Sequence, residues 1–302
     1  MTTDKLEQLR TLIRSYGSCL VAYSGGVDSV FLARVSREVL GDRCLAVIAN
    51  SPSLPRRELA AALELAQTFE IPVRVVLTKE FSNPNYLANP TNRCYYCKHE
   101  LFTELEPIAR AEGLAVIAYG ENASDLGDFR PGAQAAGEFR VRAPLKEVGL
   151  TKAEIRELSS QMGLPTADKP QLACLSSRIP YGEAVTEEKL GMVEQAENVL
   201  RDLGFHDVRV RHHELGTVER TTRLSVEAET NAPSSIGAFN GSASLARIEV
   251  GPAEMGKIFE NQRFVRIAEA LKVIGYAHVT LDLLGYRRSG LNPTAVPIRP
   301  SG

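Results

Sequence analysis

The sequence predicts an α/β protein, in which a large domain with a parallel sheet is followed by a smaller α+β domain. Three observations predict this class. Strand and helix patterns alternate along the first 120 residues or so, as in parallel sheets whose two faces are covered by helices. A glycine-containing turn joins the first apolar strand to the next helix, and the alternation breaks near residues 180–186.

The elements of the first domain follow from the spacing of apolar residues. An opening amphipathic helix is followed by predicted strands at residues 19–23, 44–49, 73–77 and 115–119. Helices are predicted between these strands, at residues 29–40, 59–69 and 101–111. This alternation implies parallel strands joined by right-handed crossovers. Ligands of such sheets bind beyond the carboxyl ends of the strands.

The second domain begins after a stretch with prolines at positions 165, 170 and 180. We therefore predict domains at residues 1–183 and 184–302. The second domain is predicted to contain a helix at 187–203, strands at 206–212 and 245–250, a helix at 256–274 and a strand at 277–282. Residues 214–243 are rich in Ser, Thr, Ala, Gly and Asn and show weak periodicity, which predicts a flexible insert between two strands.

The composition limits the possible partners. The chain has 302 residues, of which 44% are hydrophobic and 24% are charged, as in globular proteins. A formal net charge of −2 argues against a nucleic-acid partner, which normally requires a basic surface. The N-terminus has no apolar signal core and no later apolar run could span a bilayer, so we expect no membrane partner and a cytoplasmic location.

The first turn, residues 24–29, reads Ser-Gly-Gly-Val-Asp-Ser and connects a buried strand to a helix. Gly25 and Gly26 allow the backbone to approach a phosphate, and the hydroxyls of Ser24 and Ser29 add donors. Asp28 beside a phosphate implies Mg²⁺ between them. No Lys follows, so the turn is not a Walker loop. It resembles the pyrophosphate loop of ATP pyrophosphatases and predicts ATP binding; the alternative is an ordinary glycine-rich turn.

A pair of cysteines, Cys94 and Cys97, closes a polar segment at residues 80–97, which is predicted to be a loop before a helix. The pair alone is compatible with a metal or cluster site, a redox disulfide or two inert buried cysteines. Structural zinc would need two more ligands of similar spacing. A third cysteine, Cys174, lies in another predicted loop, and three cysteines are the ligand count of a 4Fe–4S cluster with one open iron.

The five cysteines form an odd number, which fits reduced thiols better than a disulfide framework. Arg178 follows Cys174 closely and is expected to stabilise its thiolate. Cys19 and Cys44 lie in apolar strand patterns and are expected in the core.

Two further groups are candidate ligand contacts. Asn122, Asp125 and Asp128 follow the fourth strand, where they would face the nucleotide or Mg²⁺, unless they form an ordinary Asx-rich turn. Arg209 and Arg211 alternate along a predicted strand and share one face. They would form a fork for a phosphate, or else a solvated sheet face.

These motifs together resemble the LarE family of ATP-dependent sulfur transferases, which act in the synthesis of the nickel-pincer nucleotide cofactor. The resemblance covers nearly the whole chain, and the segment Cys174-Leu-Ser-Ser-Arg-Ile-Pro-Tyr-Gly182 is its most specific part. It implies a PP-loop domain (adenine nucleotide alpha hydrolase-like, Rossmann-like). It also implies a small-molecule substrate, pyridinium-3,5-biscarboxylic acid mononucleotide. A carboxylate would be adenylylated, pyrophosphate released, and AMP displaced by sulfur.

The resemblance also implies roles for individual residues. Asp28, Lys98 and Cys174 would be catalytic, with Mg²⁺ on Asp28 and ATP also contacting Asn122 and Asp125. The substrate would be bound by Arg178, Glu197, Arg209 and Arg211, with its phosphate on the last two. In one type of family member, a single cysteine matching Cys174 gives up its own sulfur. In the other type, three cysteines hold a 4Fe–4S cluster, and the additional Cys94 and Cys97 identify this chain with that type. The family commonly forms hexamers, so a homo-oligomer is expected.

The chain departs from the family pattern in two places. About thirty residues separate the strands ending near His213 and starting near Leu245, where the family has a tight turn, and Arg288–Asn292 only loosely matches the family's usual ending.

Rival functions are a tRNA thiolase, an ATP-dependent amidotransferase or amide synthetase, and a non-catalytic nucleotide-binding protein. The acidic net charge disfavours a tRNA thiolase. An amidotransferase or amide synthetase would leave the three cysteines unexplained, and the intact loop disfavours a non-catalytic protein.

Overall fold

A computed structural model describes residues 2–125, 131–170, 173–215 and 243–286. These residues fold into two compact units. The first comprises the described parts of Met1–Ser177 and Tyr181–Leu190, and the second those of Arg178–Pro180 and Gly191–Gly302.

The first unit contains a parallel sheet. Its elements are α1 (Thr2–Tyr16), β1 (Cys19–Tyr23), α2 (Val27–Leu40), β2 (Cys44–Asn50), α3 (Arg56–Thr68), β3 (Val73–Leu77), α4 (Pro84–Leu87), α5 (Arg93–Ala111), β4 (Val116–Tyr119), α6 (Pro131–Glu138), α7 (Pro144–Glu147) and α8 (Lys152–Gln161). Among the described residues the strand order is β3-β2-β1-β4, with all three pairings parallel. The order reverses between β1 and β4, and ligands of doubly wound sheets bind at such switch points.

Helices cover both faces of this sheet, as the sequence predicts. Cys19 and Val21 of β1 belong to one core cluster, in which α1, α2 and α8 pack, whereas Leu20 between them belongs to a second cluster with Phe102 of α5. This alternation follows from strand geometry, since successive side chains point to opposite faces. The parallel α/β fold class is confirmed, and Cys19 and Cys44 are buried as predicted.

The helix that carries the cysteine pair is longer than the sequence predicts. It begins at Arg93, not near Leu101, so Cys94 and Cys97 lie in its first two turns and not in a loop. The polar segment before it forms a short 3₁₀ turn (Glu80–Ser82) and α4, whose N-cap Asn83 accepts a hydrogen bond from the N–H of Asn85 at 3.0 Å. Such side-chain caps stabilise short helices in polar sequence.

The second unit contains α9 (Glu187–Asp202, which begins in the first unit), β5 (Val208–Leu215), β6 (Ala243–Val250), α10 (Arg263–Ile274) and β7 (His278–Leu281). In the described part of the unit the strand order is β5-β6-β7, with β5–β6 antiparallel and β6–β7 parallel. One sheet face packs Val210 and Ile248 against Leu200 of α9 and Leu271 of α10. The opposite face presents Arg209, Arg211, Arg247 and Glu249, by the alternation of β5 and β6.

Two predictions for this unit are corrected. The predicted helix at 256–274 is divided by a kink, because Asn261 and Gln262 have φ values of 50° and 56°. The first part is a 3₁₀ segment (Pro252–Gln262) that ends at this kink, and α10 begins at Arg263. The predicted insert at 214–243 starts too early and ends too late, since Leu215 pairs with Ala243 in the β5–β6 ladder. The intervening 216–242 lie outside the described residues, as do Asp128 and 288–292. In the described ranges, every helix is too short or too polar to cross a membrane.

Candidate active site

The loop at residues 24–29 has the backbone geometry predicted for a phosphate cradle. Gly25 has a φ of +70°, and a Cβ there would lie 2.6 Å from the Cβ of Ala62 on α3, so any larger residue would collide with that helix. Gly26 is the N-cap of α2 and has extended backbone. The free N–H groups at the start of α2 and the positive end of its dipole therefore face the carboxyl edge of the sheet, as an anion requires.

The two serines of the loop hold it closed. The Ser29 hydroxyl accepts the N–H of Ser24 at 3.1 Å, lies 3.0 Å from the Ser24 hydroxyl, and is 3.1 Å from the Gly26 carbonyl oxygen. Ser29 is buried, while Ser24 is exposed. In this structure Ser29 thus fixes the shape of the loop, and Ser24 has the more accessible hydroxyl for a ligand.

Asp28 is held by residues from two later segments. Its Oδ2 lies 2.5 Å from Nζ of Lys152, and its Oδ1 accepts a hydrogen bond from Nδ2 of Asn122 at 3.4 Å. Burial raises the pKa of Asp28; the Lys152 contact lowers it and the nearby Asp125 raises it, and the net direction is upward. A partly desolvated carboxylate of this kind is a suitable ligand for Mg²⁺, and a bound cation would relieve the cost of its burial.

The structure also brings Asn122 and Asp125 to this edge. The N–H of Asn122 donates to Oδ2 of Asp125 at 3.1 Å, and Oδ1 of Asn122 accepts from the N–H of Ser124 at 2.9 Å. The Asx-turn interpretation therefore holds for their local contacts, yet Asn122 also reaches Asp28. Gly120 allows this approach, because a Cβ there would lie 2.9 Å from the N atom of Ser29.

Two lysines at the loop were missed by the sequence interpretation. Lys152 begins α8, and Nζ of Lys169 lies 3.1 Å from the Gly25 carbonyl oxygen and 2.9 Å from Oε2 of Glu58. They provide the positive charge that the loop itself lacks. The position of Lys152 had a sequence signal, since Thr151-Lys-Ala-Glu154 is a capping box that starts a helix. Lys169 lies in an irregular segment and had none.

The three candidate ligand cysteines share one neighbourhood in the first unit. Nη2 of Arg93, the first residue of α5, lies 3.9 Å from Sγ of Cys174, while its Nη1 donates to the Ser176 carbonyl oxygen at 3.0 Å. Cys97 interacts electrostatically with both Cys94 and Cys174, so the three cysteines lie in the same part of the unit. The guanidinium that the structure sets beside Cys174 is thus that of Arg93, whereas Arg178, expected there from the sequence, is engaged with Glu197.

Iron–sulfur clusters are held by cysteine thiolates, so the protonation and arrangement of these thiols bear on the predicted cluster. Burial, followed by the negative charge of Glu80, raises the pKa of the Cys97 thiol, so its deprotonation requires a compensating cation. Glu80 itself is buried, and its Oε2 has no hydrogen-bond partner. Across the described ranges, no three His, Cys, Asp or Glu side chains are arranged to hold a single metal ion.

Lys98 follows Cys97 on α5 and points toward the end of β4. Its Nζ lies 4.3 Å from the centroid of the Tyr119 ring, a distance typical of a cation–π contact. Its aliphatic stem crosses Gly132 of α6, where a Cβ would come within 2.6 Å of Lys98 Cδ. This candidate catalytic lysine is therefore placed by two elements besides its own helix.

In the second unit, the predicted substrate residues form a network of buried charges. Glu197 is fully buried and accepts hydrogen bonds from Nε of Arg178 at 2.8 Å, from Nη2 of Arg201 at 3.1 Å and from the N–H of Val210 at 3.2 Å. Glu197 is thus a structural anchor that holds Arg178 and reaches the strand that carries the other arginines.

Arg209 and Arg211 are 6% and 4% exposed, so the solvated-face interpretation is wrong. Nε of Arg211 donates to Oε1 of Glu249 at 2.6 Å. The Arg209 guanidinium instead lies 4.7 Å from the Tyr286 ring centroid and donates to the Tyr286 hydroxyl at 3.2 Å. Its buried Nε has no hydrogen-bond partner among the described residues. Burial and then the charge of Arg178 lower the pKa of Arg209. An anion bound here would supply the missing counter-charge.

Comparison with known proteins identifies the family. The chain is 41% identical to an uncharacterized protein of Synechocystis sp. over 97% of its own length and 98% of that protein. It is 31% identical to the pyridinium-3,5-bisthiocarboxylic acid mononucleotide synthase of Lactiplantibacillus plantarum over 91% of its own length and 88% of that synthase. The chain belongs to the LarE family.

A more distant relative supports the fold and the nucleotide. This LarE-family chain is 22% identical to the glutamine-hydrolyzing GMP synthase of Sulfurimonas denitrificans over 93% of its own length and 54% of that enzyme. No family model matches the chain. The LarE relative and the synthetase relative together make it an ATP-using enzyme with the PP-loop fold.

Proposed function

We propose that this enzyme transfers sulfur to pyridinium-3,5-biscarboxylic acid mononucleotide in two half-steps, of which the first consumes ATP. A substrate carboxylate oxygen attacks the α-phosphorus of ATP, the bond to the β-phosphate breaks, and pyrophosphate leaves. A sulfur nucleophile then attacks the acyl carbon and AMP leaves. The observation that carries the proposal is that one unit combines a phosphate-binding loop with three cysteines, Cys94, Cys97 and Cys174.

The adenylylation step is assigned to the loop and its neighbours. The start of α2 and the hydroxyl of Ser24 bind the phosphates. Asp28 and Asp125 would hold Mg²⁺, which when bound would supply charge neutralisation for the phosphates. Lys152 and Lys169 add positive charge from outside the loop. Lys98 stabilises the charge that develops on the phosphate during transfer.

The substrate is recognised in the second unit. Arg209 and Arg211 bind the phosphate of the mononucleotide. Both guanidiniums are buried on one strand face, and the buried Nε of Arg209 has no hydrogen-bond partner among the described residues, so a phosphate there would gain a charge-assisted contact. Arg178, held by Glu197, supports the same site through its charge. These contacts are remote from the reacting carboxylates, so they contribute to binding and positioning.

The sulfur step is assigned to the cysteines. Cys94, Cys97 and Cys174 would hold a 4Fe–4S cluster, which when bound supplies the sulfur nucleophile. Arg93 lies beside Cys174 and offsets the negative charge of the thiolates.

We further propose a cytoplasmic homo-oligomer, a hexamer by family resemblance, that acts on a small molecule without a nucleic-acid partner. Large apolar side chains on the second unit support self-association, since Val273 and Leu283 are 89% and 84% exposed. Light scattering of the purified protein tests this assembly.

The test of the sulfur step is iron and acid-labile sulfide analysis after anaerobic purification, with Cys94→Ala beside the native chain. About four irons per chain, lost in the variant, support the cluster. An iron-free protein after reconstitution would instead point to Cys174 as a single-use donor. That chemistry leaves dehydroalanine and shows as a mass loss of one H₂S.

A further inference from the structure

A second charged network lies at the end of β4, outside the residues assigned above. Glu121 is 8% exposed, and both its carboxylate oxygens are engaged. Its Oε2 accepts a short hydrogen bond from the Tyr119 hydroxyl, and its Oε1 lies 3.0 Å from Nζ of Lys146 on α7. Burial alone would raise the pKa of Glu121, but Tyr119 and Lys146 outweigh it and the pKa is lowered. Glu121 is therefore a carboxylate at neutral pH.

This network reaches Lys98 through Tyr119. The tyrosine ring that Glu121 fixes by its hydroxyl is the ring that lies 4.3 Å from Nζ of Lys98. Lys98 is also close enough to Glu121 to contribute to the lowering of its pKa. Gly132 leaves room for the lysine stem, and the Tyr119 ring and the Glu121 carboxylate lie near its ammonium group.

The network also adjoins the phosphate loop. Glu121 directly precedes Asn122, whose side chain donates to Asp28. A displacement of the main chain at Glu121 would therefore move Asn122 beside Asp28, whereas a change confined to the Glu121 side chain would act on the lysine. A buried carboxylate with both oxygens hydrogen-bonded can keep Lys98 and Asn122 at fixed positions, and catalytic geometry tolerates only small displacements.

We propose that Glu121 is a positioning residue that, through the Tyr119 ring, holds Lys98 in place for adenylylation. This inference rests on the proposed function for its catalytic meaning, but the positioning itself can be measured without turnover. Glu121 does not touch the reacting atoms. Its substitution should therefore lower the rate of the step without weakening ATP binding.

The experiment compares Glu121→Gln, Tyr119→Phe and Tyr119→Leu with the native chain. Glu121→Gln removes the charge at constant size, Tyr119→Phe keeps the ring but removes its anchor, and Tyr119→Leu removes the ring. The matched control is Glu147→Gln, which removes a carboxylate that pairs with Arg142 in the same unit. In carboxylate-dependent ATP–pyrophosphate exchange we expect kcat to fall between about tenfold and a hundredfold, with the KM for ATP unchanged and Tyr119→Leu the most impaired.

The second readout is the rate at which an amine-reactive reagent labels Lys98, followed by mass spectrometry. Release of the ring should speed labelling of Lys98 in Glu121→Gln and Tyr119→Phe, but not in Glu147→Gln. Equal labelling rates in all variants would overturn the positioning proposal. Faster labelling in Glu121→Gln and Tyr119→Phe, together with a native chain that shows no exchange, would instead contradict the proposed function and leave the positioning established.

Discussion

Asp28 places a negative charge where water is largely excluded. Its pKa is raised by burial, which outweighs the contact with Lys152, so its ionisation opposes folding. The cost is absent below the ordinary carboxyl pKa range, where Asp28 is protonated in both states. It grows as the pH rises through the raised value. The ionised Asp28 therefore lowers the stability of the enzyme without a bound cation, and a cation bound to it would offset that loss.

We expect Asp28→Asn to stop pyrophosphate release while leaving the free energy of unfolding unchanged or higher at neutral pH. The amide mimics the protonated acid at every pH. The free energy of unfolding of the variant should therefore exceed that of the native chain as the pH rises from the ordinary carboxyl range through the raised pKa of Asp28. Urea unfolding at a series of pH values, beside a pyrophosphate assay, measures both effects. Unchanged pyrophosphate release would remove Asp28 from the Mg²⁺ site.

Arg209 and Arg211 differ in partners although they lie on one strand face. Arg209 has the Tyr286 hydroxyl and ring, whereas Arg211 is paired with buried Glu249. Removing the first deletes a buried charge that has no carboxylate partner. Removing the second leaves a buried carboxylate without its closest cation. The two substitutions should thus affect stability in opposite directions.

We expect Arg209→Met to raise the KM for the mononucleotide while maintaining or increasing the melting temperature. Arg211→Ala should also raise that KM more than it affects ATP use, but it should destabilise the protein by on the order of 3 kcal/mol. Initial-rate kinetics with both substrates and thermal unfolding test the pair. Equal stability of the two variants would show that Glu249 does not depend on Arg211.

At the scale of elements, the turn between β1 and α2 depends on α3 packing against it. Gly25 needs its positive φ, and it also needs the missing Cβ, since Ala62 lies at 2.6 Å from that position. Gly26 is less restricted in both respects. Its φ of −86° is open to other residues, and a Cβ there would meet only the Ser24 hydroxyl, at 3.4 Å. The two adjacent glycines thus have different roles.

We expect Gly25→Ala to lower the free energy of unfolding by about 1–2 kcal/mol from the backbone alone, with a further loss from the collision. Adding Ala62→Gly should recover the collision part only, reduced by the about 1 kcal/mol that glycine costs inside a helix, which Ala62→Gly alone measures. Gly26→Ala is the matched control and should cost less. Denaturant unfolding of the native chain and these four variants separates the contributions. A full recovery in the double variant would mean that the positive φ costs nothing there.

The sequence predicted the elements that apolar periodicity defines and missed those defined by caps and kinks. The strands and the helices of the parallel sheet were recognisable because buried parallel strands are continuous apolar runs. The start of α5 was missed because polar residues precede Leu101, and the kink before α10 because non-glycine residues adopt positive φ there. The phosphate loop was predictable from local sequence, whereas Lys152, Lys169 and Glu121 join the site only through tertiary contacts.

At the scale of the whole molecule, the two units have separate hydrophobic cores. The proposed ATP site lies in the first unit. The arginine cluster, which comprises Arg178, Arg209 and Arg211, lies in the second. A ligand stabilises the part of a protein that binds it, by about 2.7 kcal/mol at a hundred times its dissociation constant. Each ligand should therefore leave a distinct pattern of protection from hydrogen exchange.

We expect a non-hydrolysable ATP analogue with Mg²⁺ to slow exchange in β1, α2 and β4 more than in the second unit. A pyridinium mononucleotide such as nicotinic acid mononucleotide should instead slow exchange in β5 and β6. Asp28→Asn should lose the first pattern and Arg209→Met the second, which provides each with an internal control. Hydrogen exchange followed by mass spectrometry resolves these segments. Protection of β5 and β6 by the ATP analogue alone would show that the arginine cluster binds ATP. The proposal that ATP binds the first unit and the mononucleotide the second would then be wrong.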